Sequence, residues 1–311
     1  MPTLTATGPF PPMKPPRRFG VRTIATLLGI RFAYRFGSRL APVRTVAHAA
    51  RTFQTPLPSS RVRAAYAATT MSARRETVQA GGESIETYVW GDPTTQPYIL
   101  LAHGWSSLGL RWESWAPQLL AKGWAAVSFD QPGHGHSGGD LCTLPDFVRT
   151  LAAVGRHYGD AYGVVAHSLG GAAATLALED GWTAKRVVLI APAADPQGAT
   201  RRFSRFVRLA EHLRPSLHAA LTERTGILID DLHIEHHAPK RTQPVLIVHD
   251  FFDRDVPVEE GELYARLWPD ATLLKTRRLG HRRIVDDESV MTAAIAFLDG
   301  VELRYPDTAK D

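Results

Sequence analysis

Short apolar segments alternate with amphipathic segments along most of the chain after about residue 75. The apolar segments are rich in Val, Ile and Leu and lack a regular polar face, which is typical of strands buried on both sides. They are Tyr98–Ala102, Trp124–Phe129, Tyr162–Ala166, Arg186–Ile190, Val245–Val248 and Thr272–Lys275. The segments with helical spacing are Trp112–Ala121, Leu144–Tyr158, Leu169–Glu179, Glu259–Trp268 and Glu288–Phe297. This alternation predicts a mostly parallel sheet covered by helices on both faces.

Two stretches depart from the alternation. Glu76–Ala80 and Ser84–Trp90, joined by two glycines, predict an antiparallel hairpin at the start of the sheet. Between residues 192 and 244 no strand pattern appears, but Arg201–His212 and Ser216–Thr225 have helical spacing. An insertion of about fifty residues has the size of a helical lid rather than of a loop. We therefore predict a catalytic domain at 76–311 with a lid at about 192–243, preceded by an N-terminal extension at 1–75.

The extension has a composition of its own. Its proline-rich first nineteen residues cannot sustain a helix and predict a flexible leader. From Val21 an apolar stripe recurs every four residues beside a stripe of arginines, which predicts a basic amphipathic helix. The apolar positions are Ile24, Leu28, Phe32, Phe36 and Leu40, and the basic ones are Arg31, Arg35 and Arg39.

Three interpretations of this helix stay open on the pattern alone. It can lie on an anionic membrane surface. It can pack its apolar stripe on the catalytic domain and leave the arginines in water, or it can be a transit peptide. The apolar run Ile24–Ile30 is too short to span a bilayer, and we do not assign a signal peptide.

Charge is divided unequally along the chain. The net charge is +5, yet residues 1–75 hold 13 basic and no acidic residues, while the rest holds 23 basic and 31 acidic residues. The basic balance therefore belongs to the extension and says nothing about the substrate. The single cysteine, Cys142, excludes an intramolecular disulfide. We expect a cytoplasmic protein that can lie peripheral to a membrane and has no nucleic-acid partner. The sequence does not give its oligomeric state.

A serine at the end of a predicted strand is the strongest candidate for chemistry. The segment Val164–Gly171 runs from a buried strand through Ser168 directly into a helix. A serine at such a turn holds its hydroxyl at the carboxyl end of the sheet, where open α/β folds bind ligands. Residues 166 and 170 must be small because the strand and the helix approach closely beside the serine.

Two later segments carry the partners that a nucleophilic serine needs. His249–Pro257 follows one predicted strand, and Leu279-Gly280-His281-Arg282 follows the last one. A serine hydroxyl becomes a good nucleophile when a histidine removes its proton and a carboxylate orients that histidine. The order serine, acid, histidine is the one that this strand–helix arrangement uses.

These motifs, with His103-Gly104-Trp105-Ser106 and Phe129–Ser137, resemble the α/β-hydrolase family over about residues 77–300. Ala166 departs from the glycine that is most frequent at its position. The resemblance implies the α/β-hydrolase fold, with Ser168 as nucleophile and His281 as general base. It also implies Asp253 as the orienting acid, because that residue stands four positions before the proline; Asp250 and Asp255 are the other candidates.

Further site residues follow from the resemblance and from position. The backbone N–H groups of Trp105 and Leu169 are expected to form an oxyanion hole, while His103 is expected to be structural. His167, Ser106, Phe251 and Phe252 lie in or near the site loops and are candidates for a largely apolar substrate pocket.

No metal or other cofactor is expected. His134 and His136 lack a further ligand cluster at a convincing spacing, and their loop is expected to be structural. The segment His233–His237 is expected to be a solvated face, the alternatives being a pH sensor or an ion site.

The resemblance implies a serine hydrolase that cleaves a small-molecule carboxylic ester, with an apolar acyl or alcohol part, through an acyl-enzyme on Ser168. A serine rather than an aspartate at 168 argues against epoxide hydrolases and haloalkane dehalogenases. A thioesterase, a lipase, a carbon–carbon bond hydrolase and a perhydrolase can use the same three residues and stay open. An interpretation of another class is a binding module without catalysis on the same scaffold.

Overall fold

A computed structural model of the chain describes residues 21–66, 73–179 and 181–301. The predicted proline-rich leader lies outside the described residues. All the predicted strands form, several with bounds one or two residues wider. They are β1 (Arg74–Ala80), β2 (Glu83–Trp90), β3 (Tyr98–Ala102), β4 (Ala125–Phe129), β5 (Ala161–His167), β6 (Ala184–Ile190), β7 (Val245–Asp250) and β8 (Ala271–Thr276).

The eight strands form one sheet in the order β1-β2-β4-β3-β5-β6-β7-β8. β1 pairs antiparallel with β2, and β2 pairs antiparallel with β4, which confirms the predicted hairpin. The pairings from β4 through β8 are parallel. Because parallel strands all end at the same edge, the loops after β3, β5, β7 and β8 meet above the sheet. Those loops contain the candidate residues of the site.

Helices cover both faces of the sheet, as predicted. Near the predicted start of α4, Gly109–Trp115 forms a 3-10 helix instead, and the α-helix begins at Ala116. The helices are α1 (Val21–Leu40), α2 (Pro42–Gln54), α3 (Ser59–Tyr66), α4 (Ala116–Ala121), α5 (Leu144–Tyr158), α6 (Leu169–Ala177), α7 (Pro196–Val207), α8 (Arg214–Thr225), α9 (Val258–Leu267), α10 (Gly280–Arg283) and α11 (Glu288–Leu298).

The core consists of two apolar layers separated by the sheet. Successive residues of a strand enter opposite layers, so Leu100 packs in one and Leu101 in the other. Side chains of α5, α6 and α9 fill the first layer, and those of α4 and α11 fill the second. This two-sided burial explains why the strands are apolar at almost every position.

The predicted insertion contains two helices, α7 and α8, connected by short 3-10 turns to β7. α7 begins at Pro196, before the predicted start, because Asp195 caps it by accepting a hydrogen bond from Gly198 N at 2.7 Å. Proline at the first helical position lacks the N–H that would otherwise stay unpaired there.

The N-terminal helices pack on this insertion, but not through the predicted stripe. Tyr34 of α1 and Ala49 of α2 are buried in a separate apolar cluster with Leu217 and Leu221 of α8. The expectation that the apolar stripe of α1 packs on the catalytic domain is wrong: Phe32 is 63% exposed and Leu40 is 82% exposed. The side chain of Ile24 lies outside those described.

Tyr34 is buried in place of the stripe because its hydroxyl finds partners on α2. It lies 2.8 Å from His48 Nδ1 and 3.2 Å from Thr52 Oγ1. Within the described residues, no helix is both long enough and apolar enough to cross a membrane.

The close approach of α6 to the loop after β3 gives a direct test. A Cβ added to Gly170 would lie 2.6 Å from the backbone oxygen of His103, which is too close for any side chain. We expect Gly170→Ala to lower the free energy of unfolding by about 1–3 kcal/mol, measured by urea denaturation.

Gly29 is the matched control, because it is also helical but has open space around it. Gly29→Ala should raise stability by up to about 1 kcal/mol through helix propensity alone. Equal effects of the two substitutions would contradict the close approach at Gly170.

Candidate active site

Ser168 occupies a strained turn between β5 and α6. Its φ of 56° and ψ of −123° lie in a region that residues with a side chain rarely adopt. Hydrogen bonds to both of its backbone groups hold it there: Ser168 N donates to Ile190 O at 3.0 Å, and Ser168 O accepts from the N–H groups of Gly171, Ala172 and Ala193 at 2.9, 3.4 and 3.2 Å. The strained conformation is therefore held between the end of β6, the residues that follow it and the first turn of α6.

Three side chains form a continuous chain of hydrogen bonds. Ser168 Oγ lies 2.9 Å from His281 Nε2, and His281 Nδ1 lies 2.7 Å from Asp253 Oδ2. Ser168 is 7% exposed, and the side chain of Asp253 has no exposed surface. Ser168 and His281, which are 113 positions apart in the chain, thus meet in a geometry that lets the histidine take a proton from the serine.

The carboxylate of Asp253 is held ionised. Burial by itself raises the pKa of Asp253, but the neighbouring imidazoles of His249 and His281 outweigh burial and hold the pKa below its usual range. Backbone N–H groups of Asp255 and Val256 also donate to Asp253 Oδ1, at 2.8 and 2.9 Å. A fixed negative charge therefore faces His281 Nδ1, which stabilises a protonated imidazole.

The two other aspartates of this loop have different surroundings. Asp250 is fully buried and accepts hydrogen bonds from Thr276 Oγ1 and Leu279 N, both at 2.9 Å. It therefore ties the end of β7 to the loop that carries His281. Asp255 is exposed. The resemblance favoured Asp253 among the three by its spacing before the proline, and the structure brings the Asp253 carboxylate to the histidine.

Two further buried histidines flank the chain of hydrogen bonds. His167 Nε2 donates to the backbone oxygen of His281 at 2.8 Å, and the two rings are 4.7 Å apart. Burial, and then the neighbouring His281, lowers the pKa of His167 well below its usual range, so the ring is neutral. On the other side, His249 Nε2 donates to Val256 O at 3.1 Å. Nδ1 of each ring is buried and has no hydrogen-bond partner among the residues that the structure describes.

The loop after β3 passes directly over Ser168. A Cβ on Gly104 would lie 2.7 Å from the Cβ of Ser168, so only glycine fits there. Within the described residues, no hydrogen bond is donated by the backbone N–H of Trp105 or of Leu169. Two unpaired donors thus stand on the two segments that adjoin the serine.

Two neutral histidines connect this loop to the loop that follows β4 through hydrogen bonds. His134 Nε2 accepts from Ser106 N at 2.9 Å, and His103 Nε2 accepts from Gln131 N at 3.0 Å. Burial lowers the pKa of His103 to about 4 and that of His134 to about 3, so each ring keeps a lone pair free to accept at neutral pH. Both nitrogens of His134 are occupied, since Nδ1 donates to Pro132 O at 2.9 Å.

The N-terminal extension also contacts this loop, which the sequence did not predict. Leu57 N donates to Ser106 Oγ at 2.9 Å, and Arg63 Nη2 donates to Ser106 O at 2.7 Å. Ser106 itself has a positive φ of 53°. Nearby, Cys142 N donates to Gln54 O at 2.8 Å. The segment from α2 to α3 therefore fixes the backbone next to Trp105.

The remaining predicted pocket residues lie in different surroundings. Phe251 and Phe252 are about half exposed and pack edge to face, with the guanidinium of Arg277 over the Phe251 ring. Their role in a pocket stays a prediction. Trp105 is partly buried and stacks on Phe147, which places an apolar surface beside the site.

The described part of the chain contains no group of three or more His, Cys, Asp or Glu side chains placed to hold a metal ion. In the segment His233–His237, the expected solvated face is mixed. His236 is exposed, whereas His237 lies 2.9 Å from Glu179 Oε2 and 2.7 Å from Asp231 O.

The chain resembles known proteins in sequence and in fold. Residues 93–243 match the model of a family described as "Serine aminopeptidase, S33". A search of curated proteins gives no significant match.

Many solved structures share the fold. An esterase from Exiguobacterium antarcticum superposes with a TM-score of 0.56 at 18% identity, over 73% of this chain and 100% of that one. A thermophilic esterase from Thermogutta terrifontis gives 0.55 at 20% identity, over 74% and 100%. Est1E from Butyrivibrio proteoclasticus, solved with ferulic acid bound, gives 0.56 at 20% identity, over 72% and 98%.

The contact between His167 and the His281 backbone predicts a positioning role. His167→Phe keeps the ring volume but removes the donor, and should slow labelling of Ser168 by a fluorophosphonate about tenfold, the equivalent of one hydrogen bond. His167→Gln can restore a donor near the position of Nε2 and should recover part of the rate.

A second measurement separates a loss of positioning from a loss of folding. Thermal unfolding of both variants should show that they are folded. A rate for His167→Gln as low as that for His167→Phe would contradict the role assigned to the hydrogen bond.

The contact between Arg63 and Ser106 predicts that the extension affects the site. Arg63→Ala should lower the rate at which Ser168 reacts with p-nitrophenyl acetate about tenfold, because a charged donor to the loop is lost. Arg51→Ala, which removes an exposed arginine from α2, is the control and should react at the wild-type rate. Equal rates for the two variants would rule out this effect of the extension.

Proposed function

Because this chain has the α/β-hydrolase fold, we propose that it cleaves a carboxylic ester through an acyl-enzyme on Ser168. The observation that carries the proposal is the chain of hydrogen bonds from Asp253 through His281 to Ser168, with the serine in a strained turn. A strained, buried serine bonded to a histidine is costly for a protein that needs only to fold. That arrangement is what nucleophilic catalysis requires.

The first half of the reaction follows from these distances. His281 Nε2 takes the proton of Ser168 Oγ as that oxygen forms a bond to the ester carbonyl carbon. The negative charge moves to the carbonyl oxygen, where the N–H groups of Trp105 and Leu169 stabilise it. Asp253 stabilises the imidazolium that forms. His281 then donates its proton to the departing alcohol oxygen, the carbon–oxygen bond breaks, and an acyl-enzyme is left.

The second half uses the same groups in reverse. His281 removes a proton from a water molecule, whose oxygen attacks the acyl carbon. The bond to Ser168 Oγ breaks, and Oγ takes the proton back from His281. The products are a carboxylic acid and an alcohol, and the site returns to its starting state.

An apolar acyl or alcohol part suits the surroundings. Trp105 and Phe147 stack next to the loop that passes over Ser168, and both belong to the apolar layer on that face of the sheet. Two solved structures with this fold are esterases, and a third, Est1E, has ferulic acid bound. These likenesses support the choice of an ester and leave its identity open.

A second candidate is hydrolysis of an amide at the N-terminus of a peptide. The description of the matching family favours it, since it names a serine aminopeptidase. The same serine and histidine can carry out that reaction, with the amine protonated by His281 as it leaves.

The first test is labelling of the purified protein with a fluorophosphonate, followed by peptide mapping. We expect one labelled site, Ser168, and loss of labelling in Ser168→Ala and His281→Ala. Asp253→Asn should slow the reaction by orders of magnitude while leaving the serine in place, because the imidazole loses its fixed negative partner. A folded wild type that stays unlabelled would favour a binding module without catalysis.

A matched substrate panel then identifies the bond. The panel presents one acyl group as a p-nitrophenyl ester and as a thioester, beside an aminoacyl p-nitroanilide. Release of the leaving group is followed by absorbance in each case. We expect the highest kcat/KM for the ester, rising with acyl length. A higher value for the anilide would select the aminopeptidase, and one for the thioester would select a thioesterase.

A further inference from the structure

The exposed face of α1 concentrates apolar surface in one place. Leu28, Phe32, Phe36 and Leu40 project from successive turns and are between 42% and 82% exposed. Val43, at the start of α2, is 81% exposed and extends the same surface. The stripe from residue 28 to residue 40 is about 18 Å long at the rise of an α-helix. A continuous apolar surface of this length marks an interaction site rather than ordinary exposure.

Packing fixes which face points outward. Ser38 is buried, and its Oγ accepts a hydrogen bond from Ala210 N of the insertion at 3.2 Å. Arg31 Nε donates to Phe206 O at 2.9 Å, at the end of α7. Since helix positions four apart share a face, these contacts hold the apolar stripe on the opposite side of α1.

Arginines flank the apolar stripe. Arg35 and Arg39 are exposed on α1 between its packed side and its apolar side. Arg35 also lines a groove of about 690 Å³ with Arg201, Arg205 and Arg208 of the insertion. Among the described residues, none of these four guanidinium groups pairs with a carboxylate. Glu211 also lines the groove; it forms an ion pair with Arg214 at 2.7 Å, and the nearby Arg201 and Arg205 further lower its pKa.

We propose that this surface, formed by the exposed face of α1, Val43 and the arginine groove, docks the protein on an anionic lipid bilayer. Apolar side chains enter the boundary between headgroups and acyl chains, while the guanidinium groups bind lipid phosphates. The proposal goes beyond the hydrolase activity and does not depend on it.

Charge argues for a bilayer rather than a second copy of the chain. A symmetric dimer through this face would bring Arg35 and Arg39 of one copy towards those of the other, and like charges repel. Residues 76–311 hold 23 basic and 31 acidic residues, so an anionic surface repels the rest of the protein. The basic extension is therefore the side that such a surface attracts.

Docking would also set the position of the insertion. The insertion supplies three arginines of the groove, and α7 and α8 contact α1 and α2 through one apolar cluster. The protein would thus hold its helical insertion next to the membrane.

The test is sedimentation of the full-length protein with vesicles. Phosphatidylcholine vesicles are compared with vesicles in which about a third of the lipid is phosphatidylglycerol, at low and high salt. We expect binding to the anionic vesicles, weakened by salt because screening shortens the range of the charges. The full chain is needed, since the segment from α2 to α3 also braces the loop over Ser168.

Paired variants separate the apolar and the charged parts. Phe32→Ser with Phe36→Ser should weaken binding at least about tenfold through lost apolar burial. Arg35→Gln with Arg39→Gln should weaken it about fivefold for each charge removed. Thermal unfolding checks that the variants fold.

Matched controls remove similar groups elsewhere on the surface. Leu228→Ser removes an apolar side chain that is 57% exposed, and Arg266→Gln removes an exposed charge. Both should bind like the wild type.

Three results would overturn the proposal. One is the absence of binding to anionic vesicles, and another is equal binding by the α1 variants and the wild type. The third is a dimer in lipid-free solution that the Phe32 and Phe36 substitutions convert to a monomer, which would assign the surface to a second copy.

Discussion

The strained backbone of Ser168 is the constraint on which the rest of the site depends. A positive φ at a residue with a side chain persists only where its surroundings leave no alternative. Here the N–H of Ser168 donates to the last residue of β6, and its carbonyl accepts from residues after β6 and at the start of α6. The helix that follows must then approach the loop after β3 so closely that only glycine fits at 170. Because that loop in turn crosses over the serine at Gly104, one local conformation fixes the relative position of three chain segments.

Buried neutral histidines are the second recurring device. His103, His134 and His167 each donate through one ring nitrogen to a backbone carbonyl near the site. Burial lowers the pKa of all three, so they neither carry charge nor compete with His281 for protons. An imidazole can serve as donor and acceptor at once, which suits it to joining backbone segments that belong to no regular ladder. These side chains therefore hold the backbone around the site, and His167 does so at His281 itself.

The N-terminal extension is more closely integrated than its composition indicates. One side of α1 and α2 packs on the helices of the insertion, and the segment that follows hydrogen-bonds to Ser106 beside the oxyanion-hole candidates. Its outer side carries exposed apolar residues and exposed arginines, one of which lines the arginine groove. The N-terminal extension therefore connects the surface that we propose binds lipid with the loop over Ser168.

The sequence by itself determined the sheet and its covering helices, and it indicated Ser168 and His281 as the candidate nucleophile and base. Short apolar runs rich in Val, Ile and Leu that alternate with helical segments are typical of strands buried on both sides, and a serine between such a run and a helix is typical of a sharp strand-to-helix turn. The resemblance favoured Asp253 by its spacing before Pro257 and left Asp250 and Asp255 as further candidates, because local pattern does not show which carboxylate meets the histidine. Only the tertiary structure decided it, by directing Asp250 to Thr276 and Leu279 and Asp253 to His281. It likewise decided which face of α1 is buried: periodicity shows that a helix has an apolar stripe, but a hydroxyl with partners on a neighbouring helix can be buried in its place, as Tyr34 is. Contacts between residues far apart in the chain, such as Arg63 with Ser106, leave no mark on local spacing, because they depend on how whole elements pack.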